Sequence, residues 1–223
     1  MSENSKPNIG AVMTLVHKAI TRGLDMSKKQ AIAFMQSGYP NIDIRDGFAT
    51  YVRSMGSVIN AHHLGEDHVV FPCLKSILPD TPFDQLLSEH REMDVLLREL
   101  QAAVEALTDP AQANISLDNL GHIITRLTDL WHPHIEKEQR YLYDISKTET
   151  LMTVDEQINL IQEASKHSQE QGNPALMVPF ILFNLSPEDR AGIAQVMPPV
   201  LIQELVPIVW KAQWSPMQPF MLE

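Results

Sequence analysis

The chain has 223 residues, of which 17 are Lys or Arg and 28 Asp or Glu, giving a formal net charge of −11. That balance argues against an electrostatic nucleic-acid binder, which needs a basic face to displace phosphate counterions. Hydrophobic residues at 44% are enough to build a core and argue against a wholly disordered chain. A single cysteine, Cys73, excludes an intramolecular disulfide framework and a CxxC-type zinc site. It reads as a small buried residue beside Pro72. The opening MSENSKPN has no apolar run of the kind a secretory signal carries. The longest apolar stretch, around Ala175 to Leu185, is interrupted by Pro179 and is shorter than the ~18 residues of a membrane span. The expectation is a cytoplasmic protein with no membrane or nucleic-acid partner. Nine histidines stand beside the one cysteine, so any metal would be held by imidazole and carboxylate.

Four long helical segments are expected in residues 1–148. The first runs from about Pro7 to Met35, with Met13, His17, Ile20 and Leu24 on one stripe, and is broken by Gly38, Tyr39 and Pro40. The second starts at Asn41 to Asp43 and continues to about Leu78, with Met55, Ile59, His62, Glu66 and Val69 or Val70 inward. Pro72 is expected to kink or end it. The third opens at Thr81-Pro82-Phe83-Asp84, read as an N-cap threonine with proline in the first turn. It places Phe83, Leu87, His90, Asp94, Leu97 and Val104 inward, and a turn follows at Asp109-Pro110. The fourth opens at Ser116 and carries Leu127, Trp131, His134, Glu138 and Tyr141 at the spacing of a bundle seam. No period-2 strand of useful length appears, so the fold class is all-α, an antiparallel four-helix bundle.

Residues 149–223 form a helical extension rich in proline: eight of the fifteen prolines lie from Pro174 onward. Thr153-Val-Asp-Glu156 is a capping box for a helix to about Gln171, stopped by Gly172-Asn173-Pro174. Ser186-Pro187 starts a short helix, and another spans Pro199 to Trp210 with a bend at Pro207. Trp210 to Phe220 reads as irregular and too aromatic for a solvated tail. It is expected to dock on the bundle or to form a homodimer interface.

The second and fourth segments share a pattern. His62 and Glu66, and likewise His134 and Glu138, are four residues apart, about 40° from one another around a helix, so each pair points one way. His90 and Asp94 repeat the spacing and His17 is inward on the first segment. Burying four imidazoles and several carboxylates without compensation costs several kcal/mol each. A metal pair offsets that cost, since carboxylates bridge two cations while imidazoles fill terminal positions. Mixed N/O donors inside a bundle suit two iron or manganese ions better than one zinc. His63 lies about 100° from His62 and could pair with Asp67 or touch the site. His68, His122, His132 and His167 are read as surface residues. Asp94 is read as a ligand or as an acceptor for a ligand N–H.

This arrangement, His62-xxx-Glu66 with the Phe71-Pro72 tail above all, resembles the hemerythrin-like (HHE cation-binding) domain over residues ~7–148. The resemblance implies a non-haem di-iron centre with His17, His62, His90 and His134 as ligands and Glu66 and Glu138 as bridges. His17 and His62 would serve one iron, His90 and His134 the other; manganese or zinc are alternatives. It further implies binding of O₂, another small diatomic or peroxide, or sensing of iron and redox state. Oxygen-carrying members have HxxxH in the third helix, where this chain has His90-Arg-Glu-Met-Asp94, and their final HxxxxD is here HxxxE. Those departures are closer to bacterial HHE proteins and to the iron-sensing domain of a eukaryotic ubiquitin ligase. They argue against a pure oxygen carrier. Binding or sensing is the preferred reading. An enzyme with an open position near Asp94, activating O₂ or peroxide, and a metal-buffering or dimerisation module are the alternatives.

Overall fold

The computed structural model describes residues 7–107 and 113–222, and among them no strand occurs. Helix α1 (Ile9–Ser37) starts where the Asn8 side chain accepts from the Ala11 N–H. It ends at Gly38, whose φ of 71° lies in the left-handed region open to glycine. Asn41 caps α2 (Ile42–Gly65) in the same way, accepting from Ile44.

The chain does not stop or break sharply at Pro72. A π-helical turn, Glu66–Val70, lets the Phe71 N–H reach the Glu66 carbonyl, and α3 (Phe71–Leu74) continues through the proline. Proline has no N–H to give to the His68 carbonyl, and the wider turn just before it absorbs the mismatch. Phe71 and Leu74 take the inward positions on this turn, which leaves Cys73 exposed rather than buried.

Helix α4 (Phe83–Ala106) begins after Pro82 with no side-chain cap, so Thr81 is not the N-cap the sequence suggests. Its buried stripe is Phe83, Leu86, His90, Met93, Leu96, Leu100 and Val104. The expected Leu87, Asp94 and Leu97 lie one residue round. Leu86-Leu87 and Leu96-Leu97 offer a leucine in either register, while Met93 and Leu100 rather than Asp94 and Gln101 make the observed stripe the more apolar one. Helix α5 (Ala113–Tyr141) starts three residues before Ser116. The expected turn at Asp109-Pro110 lies outside the described residues. Helix α5 packs along both α1 and α4, and α2 packs along α1 and α4, which closes a four-helix bundle.

The extension comprises α6 (Ile145–Leu151), α7 (Val154–Gln169), α8 (Pro174–Phe183) and α9 (Pro187–Ala194). The expected boundary at residue 148 falls inside α6, where Thr148 accepts from Asn8 Nδ2 at 2.9 Å. The Thr153–Glu156 capping box and the Ser186 cap are formed, and Asn173, expected only as part of a helix stop, also caps α8. Leu201–Val209 is π-helical around Pro207. Lys211 to Phe220, expected to be irregular, forms α10 (Lys211–Trp214) and a 3₁₀ turn (Ser215–Phe220).

This last segment docks on its own bundle. Trp214, Met217 and Phe220 are buried, and Phe220 packs against Phe48 and Tyr51 with ring centroids 5.5 and 5.7 Å apart. Asn184 fastens the contact: its buried Oδ1 accepts from Tyr51 Oη at 2.7 Å and Arg22 Nη1 at 2.5 Å, while its Nδ2 donates to the Phe180 carbonyl. Gly47 permits the close approach, since a Cβ there would collide with the Pro216 carbonyl.

Candidate metal centre

His17, His62, His90 and His134 come from α1, α2, α4 and α5 and converge on the bundle axis with Glu66 and Glu138. Every one of these six is at most 6% exposed. His17 Nε2 stands 3.1 Å from His62 Nε2, and His90 Nε2 stands 3.0 Å from His134 Nε2. Glu138 lies between the pairs, with Oε2 at 3.3 Å from His17 Nε2 and Oε1 at 3.1 Å from His134 Nε2. Glu66 Oε2 is likewise 3.4 Å from His62 Nε2 and 3.5 Å from His90 Nε2. Two donor groups result, His17-His62-Glu66-Glu138 and Glu66-His90-His134-Glu138, sharing both carboxylates.

The donors fit a pair of cations. Glu66 Oε2 and both Glu138 oxygens are buried without a hydrogen-bond partner, although nitrogens surround them. Such atoms are costly unless something positive lies between them. Donors about 2.1 Å from one cation and at right angles stand about 3 Å apart, which matches the spacing within each imidazole pair.

The surroundings hold the imidazoles in place. His90 Nδ1 is 2.6 Å from Asp67 Oδ1, and His134 Nδ1 is 2.9 Å from Glu89 Oε2. Lys137 Nζ donates to the other Glu89 oxygen at 2.7 Å. His17 Nδ1 is buried with no partner, so the two imidazole pairs are backed unequally. Tyr143 Oη donates to Glu66 Oε1 at 2.5 Å. The Trp131 ring lies 5.6 Å from His17 and 6.3 Å from His134, anchored by a 2.9 Å hydrogen bond from its Nε1 to Thr21 Oγ1.

His63 is 2% exposed and stacks on His90 at 4.1 Å, neither of its nitrogens having a hydrogen-bond partner. It forms a third donor group with His90 and His134. The expected pairing with Asp67 is not made, because Asp67 is bound to His90. Asp94 lies outside all three donor groups. With the inward face taken by His90 and Met93, it lines a surface cleft with Arg53 and Asn60 between α2 and α4. His68 and His167 face each other at the surface, their ring nitrogens 3.2 Å apart, and His122 is exposed beside Asp118.

Electrostatics without a cation are those of a crowded site. Burial pushes Glu66 well above the carboxylate range, and the charge of Glu138 adds to this. Burial would raise Glu138 too, but the imidazoles of His134, His17 and His90 hold it well below that range. His62 and His63 are pushed down by burial and by the imidazoles next to them. Burial also opposes charge on His90, yet Asp67, Glu138 and Glu66 raise it to about 10. Both shifts favour the protonated forms of Glu66 and His90, and a cation would compete with those protons.

Glu89 and Tyr143 were not singled out by the sequence patterns, and Asp67 was named only as a partner for His63. Asp67 follows Glu66 directly and Glu89 precedes His90, but each serves a histidine on another helix. Tyr143 lies past the end of α5, where its own N–H turns back to the Glu138 carbonyl at 2.9 Å, so helical periodicity does not place it.

No curated protein and no solved structure matches the chain significantly. The family model for the hemerythrin HHE cation-binding domain matches residues 8–146, which contain all six donors and more than half of the chain. The chain belongs to the hemerythrin HHE cation-binding family.

Proposed function

We propose that this protein is a non-haem di-iron protein that binds or senses O₂, NO, peroxide or iron itself at the centre of its bundle. The observation that carries the reading is the sharing of Glu66 and Glu138 between two otherwise separate imidazole pairs. A bound pair of redox-active cations supplies electrons and an attachment point for a small ligand. The chain does the rest. Glu66 and Glu138 join the two positions, and Tyr143 holds the Glu66 carboxylate in one orientation. Asp67 and Glu89 fix the tautomers of His90 and His134 by accepting at Nδ1. Trp131 and Phe71, both almost fully buried, keep water from the donors.

His63 is included as a third imidazole for the His90–His134 position, on the strength of its two unpartnered nitrogens and its place in that donor group. Oxygen and nitrogen donors favour iron or manganese, with zinc a weaker fit. Catalytic turnover of O₂ or peroxide is the second reading. An open position beside Asp94 drops out of it, because Asp94 is in the surface cleft. A metal-buffering role would use the same donors. Dimerisation through the extension would use the exposed Val200, Ile208 and Val209, since Trp214 and Phe220 are occupied within the chain.

Optical spectroscopy on protein expressed with iron and purified without chelator separates these readings. Charge-transfer bands that respond reversibly to O₂ or NO support binding. Bands that persist through many turnovers of added peroxide support catalysis. A spectrum with no iron-dependent band contradicts both.

A further inference from the structure

Between the bundle and the extension lies an apolar pocket of about 130 Å³. Its inner wall comes from α1 and α2 and its outer wall from α7, α8 and α9, with Val16, Val58, Ala164, Ile181, Ile193 and Met197 among the lining side chains. Polar side chains in the wall are few. Ser168 Oγ donates to the Ala61 carbonyl at 3.2 Å, and Ser165 Oγ accepts from Gln169 Nε2 at 3.3 Å. The remaining one is His62, a donor of the candidate metal centre.

The two serines are already hydrogen-bonded within the chain and the rest of the wall is almost entirely aliphatic or thioether, so the lining favours an apolar guest over ordered water. Cavities of roughly 150 Å³ lined by aliphatic and aromatic side chains stay dry and take up benzene or xenon. We propose that the pocket is a binding site for a small apolar organic molecule, about one aromatic ring in size, seated against His62. The Nε2 edge of the same imidazole faces His17 and Glu66. Guest and donor cluster thus share one side chain, and occupancy of the pocket is felt at the His17–His62 position. The extension supplies the outer half of the site, which the four bundle helices alone do not enclose. The link to the metal rests on the proposed function; the pocket itself does not.

Benzene titrated into the full-length protein tests this, with binding followed by ligand-observed NMR and by thermal unfolding. Saturable 1:1 binding and a rise in melting temperature are expected in the metal-free protein. Ala164→Phe fills the pocket and should weaken binding about tenfold or more. Ile193→Ala enlarges the pocket and should retain benzene and admit indole. In cobalt(II)-loaded protein, benzene should shift the visible spectrum of the bound ion. No saturable binding to the wild type, or undiminished binding to a folded Ala164→Phe variant, overturns the site, as does failure of Ile193→Ala to admit indole. A cobalt spectrum indifferent to saturating benzene overturns the link to His62. Protein that takes up no cobalt contradicts the metal reading alone, and benzene binding by that same sample still supports the pocket.

Discussion

Asp67 and Glu89 illustrate how little of a site's outer wall is visible in helical spacing. Each neighbours a donor in sequence and serves a different donor in space. Their removal should leave the six-donor cluster in place and loosen the ion at the His90–His134 position. Asp67→Asn and Glu89→Gln are each expected to weaken one of two metals by roughly 10–100-fold, read as a biphasic competition against a chelator. Asp94→Ala, by contrast, should leave metal affinity unchanged, because Asp94 lines the cleft with Arg53 and Asn60. Glu138→Ala and His90→Ala should each lose at least one metal and lower the melting temperature of the loaded protein; unchanged metal content in either would refute its place in the cluster. The convergence of His62 with Glu66 and of His134 with Glu138 was legible because a His and a Glu four apart stay on one face wherever the helix begins; His17 and His90 were placed inward by the apolar residues on their stripes. Asp94 lies off the inward stripe of α4: the doubled leucines at 86–87 and 96–97 suit either register, and Met93 and Leu100 decide for the other one.

At the level of elements, the Ser186 cap and the Thr153–Glu156 box were readable because they act within three residues of themselves, whereas Thr81 does not cap α4. The π turn at Glu66–Val70 was not readable, since Pro72 announces a lost hydrogen bond without saying how the backbone absorbs it. Nor was the helical course of Lys211 to Phe220, whose prolines mimic irregular chain while tertiary packing on Phe48 and Tyr51 sets its shape. That packing can be tested at Gly47 and Asn184. Gly47→Ala should drive the 3₁₀ turn off α2 and destabilise the protein by about 1–3 kcal/mol. Asn184→Leu strands the Tyr51 hydroxyl, leaves Arg22 Nη1 only the Phe220 carbonyl, and should cost about 1–3 kcal/mol; both are measured by urea unfolding. Deleting residues 174–223 should uncover Phe48 and Tyr51 and produce a less stable, aggregating bundle, while an equally stable monodisperse truncation would contradict the docking.

For the molecule as a whole, the proposed cation pair would decide whether the bundle interior is a burden or a support. Metal-free protein buries Glu66 and Glu138 oxygens without hydrogen-bond partners, and its electrostatics favour the protonated forms of Glu66 and His90. Loading should therefore raise the melting temperature and release protons. Since those protons compete with the metal, apparent affinity should fall as pH is lowered, by about tenfold per pH unit for each proton displaced. The net charge of −11 includes the two carboxylates that such loading would neutralise. The most direct test of the account is native mass spectrometry of protein expressed with iron and purified without chelator. Two metal ions are expected per wild-type chain and at most one in Glu138→Ala. A wild-type chain carrying a single ion, or none, would contradict it.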